Sequence, residues 1–390
     1  MEHLINPLVK DIEISGIRKF FTLVSNYPDA IQLTIGQPDF PTPEPIKEAG
    51  KLAIDQNRTT YTPNAGLPEL RRAASDFLQQ KYGLQYDPNT EVITTVGASQ
   101  AIDITLRTIL EPGVEVILPG PVYPGYEPII KLCGAIPVYV DTTDTDFKLT
   151  PERLAAKISD KTRCVILPYP SNPTGCVLSA DEIKGLAEVL SKHEIFVISD
   201  EIYSELVYGQ QHHSIALLPK LREKAIVING LSKSHSMTGW RLGFAFAPAY
   251  LAKEMLKVHQ YNVSCANSIT QYAAIEALTN GKDDAHEMRE VYEERLAYVH
   301  ERLVNMGIDV VKPQGAFYLF PSIQKFGLSS NEFALQLLEQ EGLAVVPGDA
   351  FSSYGEGYIR LSYAYGMDVL EDGCNRLERF VKKLCKENKA

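Results

Sequence analysis

Cysteine is scarce in this chain, with six in 390 residues, and none is placed to build a framework. Cys133, Cys164, Cys176, Cys265, Cys374 and Cys385 form no C-x-x-C pair, and no histidine cluster stands at metal-ligand spacing. A disulfide scaffold and a zinc module are both excluded on this basis. The expectation is free thiols in a reducing cytoplasm and no metal. Long apolar runs are missing too: no stretch approaches about 18 uncharged apolar residues, so no helical membrane span is expected. Met1–Lys10 lacks a basic stretch leading into an apolar one, so no secretory signal is expected. Positive charge is in deficit, with 38 Lys and Arg against 49 Asp and Glu and a net charge of -11. Such a surface repels nucleic acid and anionic lipid, which leaves small molecules as the expected partners. An anionic substrate then has to be drawn in by local positive charge. Internal repeats and low-complexity linkers are absent.

What is present is an ordinary globular composition, 45% hydrophobic and 22% charged. A chain of this length exceeds one compact core, so two domains are expected. Strand candidates are Glu91–Gly97, Val114–Pro119, Ile136–Asp141, Arg163–Pro168, Glu194–Asp200, Ala225–Gly230 and Arg241–Ala247, rich in β-branched residues and mostly ending at Gly, Pro or Asp. Helices are expected between them at Pro68–Tyr82, Ser99–Leu110, Asp181–His193, Tyr250–Gln260 and Ile269–Thr279. This alternation describes an α/β fold with a mainly parallel seven-stranded sheet covered on both faces. Ligands in such folds gather at the carboxyl ends of the strands. A charged helix, Ala285–Met306, reads as a connector. Beyond it, strands at Asp309–Val311, Ala316–Phe320, Ala344–Pro347 and Tyr358–Ala364 and a helix near Val369–Leu384 read as a smaller α+β domain. The Pro-rich segment to about Pro45 is expected to pack on that domain. The division is therefore 46–290 against 1–45 with 291–390.

Five segments carry chemistry. In Ala225–Gly243 an apolar strand runs into a small-residue turn presenting Ser232 and Lys233, with Ser236, Thr238 and Arg241 close behind. An imine-forming amine must be neutral, and desolvation and nearby cations lower a lysine pKa. Arg241 and Ser232 can hold a phosphate dianion by charge-assisted bonds. Taken alone, the segment also fits a surface Lys and a loop Arg. Asp200 ends an apolar strand, where an unpaired carboxylate is costly. It can keep a pyridinium nitrogen protonated, with Tyr203 reaching a ring oxygen, although a helix-capping Asp reads the same. Asn172 can donate to a phenolate oxygen, or mark a plain Asn-Pro turn. At Thr94–Ala101 a strand ends at Gly97 and a helix begins near Ser99. Free N–H groups there bind phosphate, or Ser99 merely caps the helix. Arg360, in Tyr358–Ala364, offers a planar fork to a carboxylate or faces solvent.

Together with IGQPDFPTP (35–43), YTPNAGLPEL (61–70), GPVYPGY (120–126), PQGAFY (313–318) and VPGDAF (346–351), these segments resemble the fold-type I pyridoxal-phosphate enzymes of the aspartate aminotransferase family, class I/II. The resemblance runs nearly the whole chain in order and spacing. It implies pyridoxal 5'-phosphate held as a Schiff base on Lys233, which also moves the proton between the substrate α-carbon and the cofactor. It implies Asp200 at the pyridine nitrogen and Asn172 with Tyr203 at the ring oxygen. Tyr123 matches the aromatic that stacks on the ring, where some relatives have Trp and where a plain core tyrosine would look alike. Ala98, Ser99, Ser232 and Arg241 match the phosphate cup. Tyr61 matches a tyrosine that reaches the neighbouring subunit's phosphate, which implies a homodimer with shared active sites. Arg360 and the Gly36 backbone match the site of the substrate α-carboxylate. Pro121 and Pro173 fall where cis prolines are expected.

Substrate choice is less legible. Arg18 and Lys19 can meet a distal carboxylate or form an ordinary basic surface pair. The text as a whole is similar to the N-acetyl-L,L-diaminopimelate aminotransferases of lysine biosynthesis, which implies 2-oxoglutarate as acceptor. Aspartate, aromatic and alanine aminotransferases share the motifs, and pyridoxal-phosphate C–S lyases keep the same lysine and aspartate. A non-catalytic ligand sensor is the third class. Its DNA-binding role fits poorly with an acidic chain whose first motif begins at Ile35.

Overall fold

The structure is a computed structural model and describes residues 1–387. Its centre is a seven-stranded sheet: β1 (Val92–Thr95), β2 (Glu115–Gly120), β3 (Ile136–Asp141), β4 (Thr162–Leu167), β5 (Phe196–Asp200), β6 (Ala225–Gly230) and β7 (Gly243–Phe246). The spatial order is β1-β7-β6-β5-β4-β2-β3. Strands β6, β5, β4, β2 and β3 pair in parallel, whereas β7 is antiparallel to both neighbours. Because β7 alone is reversed, β1 runs with the parallel set and ends at the same edge. All seven expected strands are present, Ile136–Asp141 and Ala225–Gly230 with the expected bounds.

Both faces of this sheet are buried, which is why its strands are nearly continuous apolar runs. Val116, Leu118, Ile166, Ile198, Ile226 and Ile228 pack with helices Gly97–Ile109 and Ala249–Val263. Their alternates Ile117, Val165 and Val197 pack against helix Ala180–Leu190. Val227, Phe244 and Phe246 pack with Leu70 and Phe77 of helix Pro68–Tyr82. That helix starts with Pro68 and stops at Gly83, whose φ of 74° only glycine adopts readily.

A further core gathers Tyr292, Leu296 and Val299 of helix Ala285–Asn305 with Phe317, Phe333, Leu337 and Phe380. Phe20, Val24 and Leu33 from the N-terminal segment join it. Ile31–Gln32 pairs in parallel with Leu343–Ala344. The segment also contains a helix, Gly16–Val24. Three expectations need correction. Asp309–Val311 forms no strand: the Asp309 carbonyl accepts the Ser322 N–H, and no ladder continues from that bond. The expected strand Ala344–Pro347 is split between two ladders: Leu343–Ala344 pairs with the N-terminal segment and Val346–Pro347 pairs with Ile359–Arg360. Helices Glu44–Asp55, Tyr126–Leu132, Pro151–Ala155 and Ser330–Glu341 join those expected.

The described cysteines are all free thiols. Among the described residues no helix is long and apolar enough to cross a membrane, and no group of His, Cys, Asp or Glu is arranged to hold a metal.

One glycine contact locks the sheet to the helix that starts beside it. A Cβ on Gly243 would lie 2.5 Å from the Gly97 carbonyl carbon and from the Ala98 nitrogen, both backbone atoms that cannot step aside. Gly243→Ala is therefore expected to destabilise the protein by about 1–3 kcal/mol. Chemical denaturation measures this, and an unchanged midpoint contradicts the packing argument.

Candidate active site

The carboxyl edge of the sheet brings the candidate residues together through strand register. Thr95 and Gly230 both face Gly243, so the turns after β1 and β6 and before β7 lie side by side. Asp200, at the end of β5, pairs in register with Ile228 of β6. Lys233 follows in a one-turn helix, Leu231–Ser234. Together these turns line a cavity of about 650 Å³, within the usual range for small-molecule sites. Gly36, Ala98, Ser99, Tyr123, Asn172, Asp200, Tyr203, Ser232, Lys233, Arg241 and Arg360 all line it. Tyr61 does not: it is 88% exposed and lies outside this cavity. Ser236 also lies elsewhere, its hydroxyl 3.6 Å from the Met288 sulfur.

Lys233 is the chemical centre of the cavity. Its Nζ donates to the Gly36 carbonyl at 2.6 Å and lies 5.6 Å from the Tyr203 ring centroid. Burial, then the charges of Arg360 and Arg241, lower its pKa to about 8, with Asp200 opposing. A substantial fraction of the amine is therefore neutral near pH 8. Gly36 has to be small here, since a Cβ would lie 2.6 Å from the Tyr318 hydroxyl.

Asp200 is buried, and its Oδ2 accepts a hydrogen bond from the Tyr126 hydroxyl at 2.6 Å. Oδ1 accepts the Ile202 N–H at 3.3 Å, so the carboxylate closes a turn and caps no helix. Desolvation raises its pKa to about 6, against the Tyr126 bond. A cationic partner in the cavity would restore full ionisation.

Arg360 is 2% exposed, which excludes the solvent-facing alternative. It lies over the Tyr318 and Phe351 rings, 4.4 and 4.9 Å to the centroids. Nη1 donates to Asn172 Oδ1 at 2.9 Å and Nη2 to the Thr34 carbonyl at 2.6 Å, while Nε has no protein partner. A buried guanidinium with a donor to spare and no carboxylate beside it is set up for an anion. Tyr203 and Tyr318 share a hydrogen bond of 2.8 Å at the same wall, and burial raises both phenol pKa values.

Another part of the lining suits a polyanion. Helix Gly97–Ile109 begins at Gly97, with Ala98 and Ser99 in its first turn. Ser99 is thus inside the helix; the Gln100 side chain accepts the Val96 N–H at 2.7 Å, and the N-cap residue Val96 offers no side-chain cap to the N–H groups that follow. The free N–H groups at this start, the Ser232 hydroxyl and Arg241 all line the cavity, and helix starts bind anions. A Cβ on Gly97 would lie 2.6 Å from Arg241 Nη2 and fill the cradle. Arg241 donates through Nη1 to the Thr238 carbonyl at 3.0 Å and holds a φ of 55°, a strained backbone for a non-glycine residue. Tyr123 flanks the cavity edge-on to Tyr126, with ring centroids 5.5 Å apart.

The Gly120–Pro121 and Asn172–Pro173 bonds are cis as expected, and Tyr169–Pro170 is cis as well. Arg18, from helix Gly16–Val24, lines the cavity, whereas the side chain of Lys19 lies outside the described residues. Sequence reasoning gave no role to Tyr126 or Tyr318. Each closes a motif already noted, GPVYPGY and PQGAFY, but the partner of each hydroxyl is far away in sequence.

The comparisons with known proteins agree with this geometry. Residues 28–377 match the family described as aminotransferase class I and II. The chain is 61% identical over 383 residues to "Probable N-acetyl-LL-diaminopimelate aminotransferase" of Bacillus subtilis (strain 168), covering 98% of this chain and 97% of that one. The solved aromatic aminotransferase from Pyrococcus horikoshii OT3 superposes with a TM-score of 0.89 at 42% identity, covering 94% of this chain and 99% of that one. The aspartate aminotransferase from Thermus thermophilus with maleate gives a TM-score of 0.92 at 34% identity, covering 96% and 99%. With its mainly parallel sheet, its half-buried lysine and a match over nine-tenths of its length, the chain belongs to the class I and II aminotransferases.

Proposed function

We propose that the chain uses pyridoxal 5'-phosphate to move the amino group of N-acetyl-L,L-2,6-diaminopimelate onto 2-oxoglutarate, giving N-acetyl-2-amino-6-oxopimelate and glutamate. The observation that carries the cofactor reading is the convergence of one amine, one carboxylate and two guanidiniums, Lys233, Asp200, Arg241 and Arg360, on a single cavity. The donor set fits the group. The cradle of Ser99, Ser232 and Arg241 suits a phosphate dianion, and Asp200 suits a pyridinium. The substrate reading is supported by the 61% identical relative and its printed name.

When bound, pyridoxal phosphate supplies an aldehyde that condenses with amines and a protonated ring that accepts the electron pair released at the substrate α-carbon. The chain's own residues do the rest. Lys233 would bind the aldehyde, yield it to the substrate amine, and then carry the α-proton as general base and acid. Asp200, held by Tyr126, would keep the ring nitrogen protonated. Asn172 and Tyr203 would hold the ring oxygen, and Tyr123 would cover the ring face. Arg241, Ser232 and the N–H groups of Ala98 and Ser99 would anchor the phosphate. Arg360 would fork the substrate α-carboxylate, beside the Gly36 backbone and Asn172. The reaction would then run as two half-reactions, the first releasing the donor as its oxo acid and the second releasing glutamate.

The same proposal includes a homodimer in the cytoplasm. Its support is the exposure of Tyr61, an aromatic ring left in solvent by the single chain and free to enter a partner's site. It also divides the chain into a cofactor domain, 46–290, and a small domain, 1–45 with 291–390. The core around Tyr292 and Phe380 supports that division, since it is drawn mostly from 1–45 and 291–390, with Tyr203, Leu206, Tyr208 and Met288 joining it from the larger part.

Three outcomes are expected. Incubation with 2-oxoglutarate and a panel of amino donors should give glutamate fastest with N-acetyl-L,L-diaminopimelate. Faster transfer from aspartate or an aromatic amino acid would replace that donor, and pyruvate with ammonia would mark a lyase. Lys233→Ala should lower transfer by about 10⁴-fold or more, and activity surviving in purified variant protein with added cofactor contradicts the assigned role. In the cofactor-free protein, modification of Lys233 by an amine-selective reagent should accelerate as pH rises through about 8 and level off above it, because the neutral amine reacts. Peptide mass spectrometry reads this rate, and acceleration confined to the ordinary lysine range near pH 10.4 contradicts the account.

A further inference from the structure

Four cations line the cavity, and three have partners. Lys233 is bonded to Gly36, Arg241 to Thr238, and Arg360 to Thr34 and Asn172. Arg18, the fourth, has no ion pair and no side-chain hydrogen bond among the described residues, although it acts electrostatically on Tyr123. Asp200 is the one acidic side chain on the walls. The charge balance is therefore specific. A phosphate accounts for Arg241, a pyridinium for Asp200, and an α-carboxylate for Arg360. One guanidinium is left over in a chain whose net charge is -11.

Helical spacing explains how Arg18, itself an exposed residue, reaches the cavity. In Gly16–Val24, Phe20 and Val24 are buried in the small-domain core and fix the helix. Gly16 presses on Ala350, where a Cβ would approach within 2.9 Å. Ile17, Arg18, Phe21 and Thr22 are left on the cavity side, at the i, i+1, i+4 and i+5 positions of one helix face. Apolar Ile17 and Phe21 beside a free guanidinium suit a methylene chain that ends in an anion.

We infer that Arg18 is a specificity-determining residue that binds the second carboxylate of a straight-chain α-amino or 2-oxo dicarboxylate. The inference rests on the reading of this cavity as a transamination site. It extends that reading by saying which end of the substrate the N-terminal helix selects. Arg18 acts in binding and takes no part in proton transfer.

The test uses the holoenzyme and its Arg18→Gln and Arg18→Lys variants. The first readout is the ratio of kcat/KM for 2-oxoglutarate over 2-oxobutyrate. A charge-assisted pair predicts a fall of about tenfold to hundredfold in that ratio for Arg18→Gln and a smaller fall for Arg18→Lys. The second is calorimetric binding of glutarate against butyrate, which needs no turnover. Glutarate should bind more tightly to the wild type, and Arg18→Gln should remove the preference. An equal loss on both acceptors, or a glutarate preference that survives Arg18→Gln, overturns the inference. If Arg18 governs glutarate binding but no amino transfer occurs with any donor, the second-carboxylate site stands and the transamination reading falls.

Discussion

The site depends on one amine kept out of water beside two guanidiniums. Burial is the larger cause of the low pKa of Lys233, and Arg360 and Arg241 add to it. An ordinary lysine is almost wholly protonated at neutral pH and cannot attack a carbonyl. The single hydrogen bond from Nζ to the Gly36 carbonyl also ties the N-terminal segment to the sheet edge. Arg360 does the same for the C-terminal part of the chain, since it bonds residues 34 and 172 at once. The cavity is thus a junction of three distant stretches, each contributing a group the others cannot supply.

The sheet supplies the precision. Reversal of β7 puts Gly243 between Thr95 and Gly230, so the start of helix Gly97–Ile109 and the lysine turn are set by backbone ladders. Positions set this way do not depend on flexible loops, as preorganised catalysis requires. The glycines at 97 and 243 are part of the same arrangement, because any side chain there would push the helix start or Arg241 aside.

Much of this was legible in the sequence because the sheet is regular. Strands buried on both faces give continuous apolar runs, and helix Pro68–Tyr82 announces itself with proline and glycine at its ends. Helix Ser330–Glu341, not among the expected helices, carries an equally clear signal in the Ser329–Glu332 capping box and Gly342. Asp309–Val311 reads as a strand from two adjacent valines, which do not ensure a ladder partner. Arg360 looked ambiguous because its strand alternates like a half-exposed one, yet all four residues of Ile359–Ser362 are buried. Tyr126 and Tyr318 were not legible as site residues. What gives them a role is a hydroxyl contact with Asp200 or Tyr203, across 74 and 115 residues of chain.

In the proposed reaction the chemistry is concentrated in residue 233, with residues 200, 241 and 360 setting charge around it and Arg18 reading the far end of the substrate. The most direct measurement is reduction with borohydride of the protein purified with pyridoxal phosphate, followed by mass mapping of the modified peptide. The account predicts loss of the visible absorbance and a stable cofactor adduct on Lys233 alone. An adduct on any other lysine, or none while the protein remains active, contradicts it.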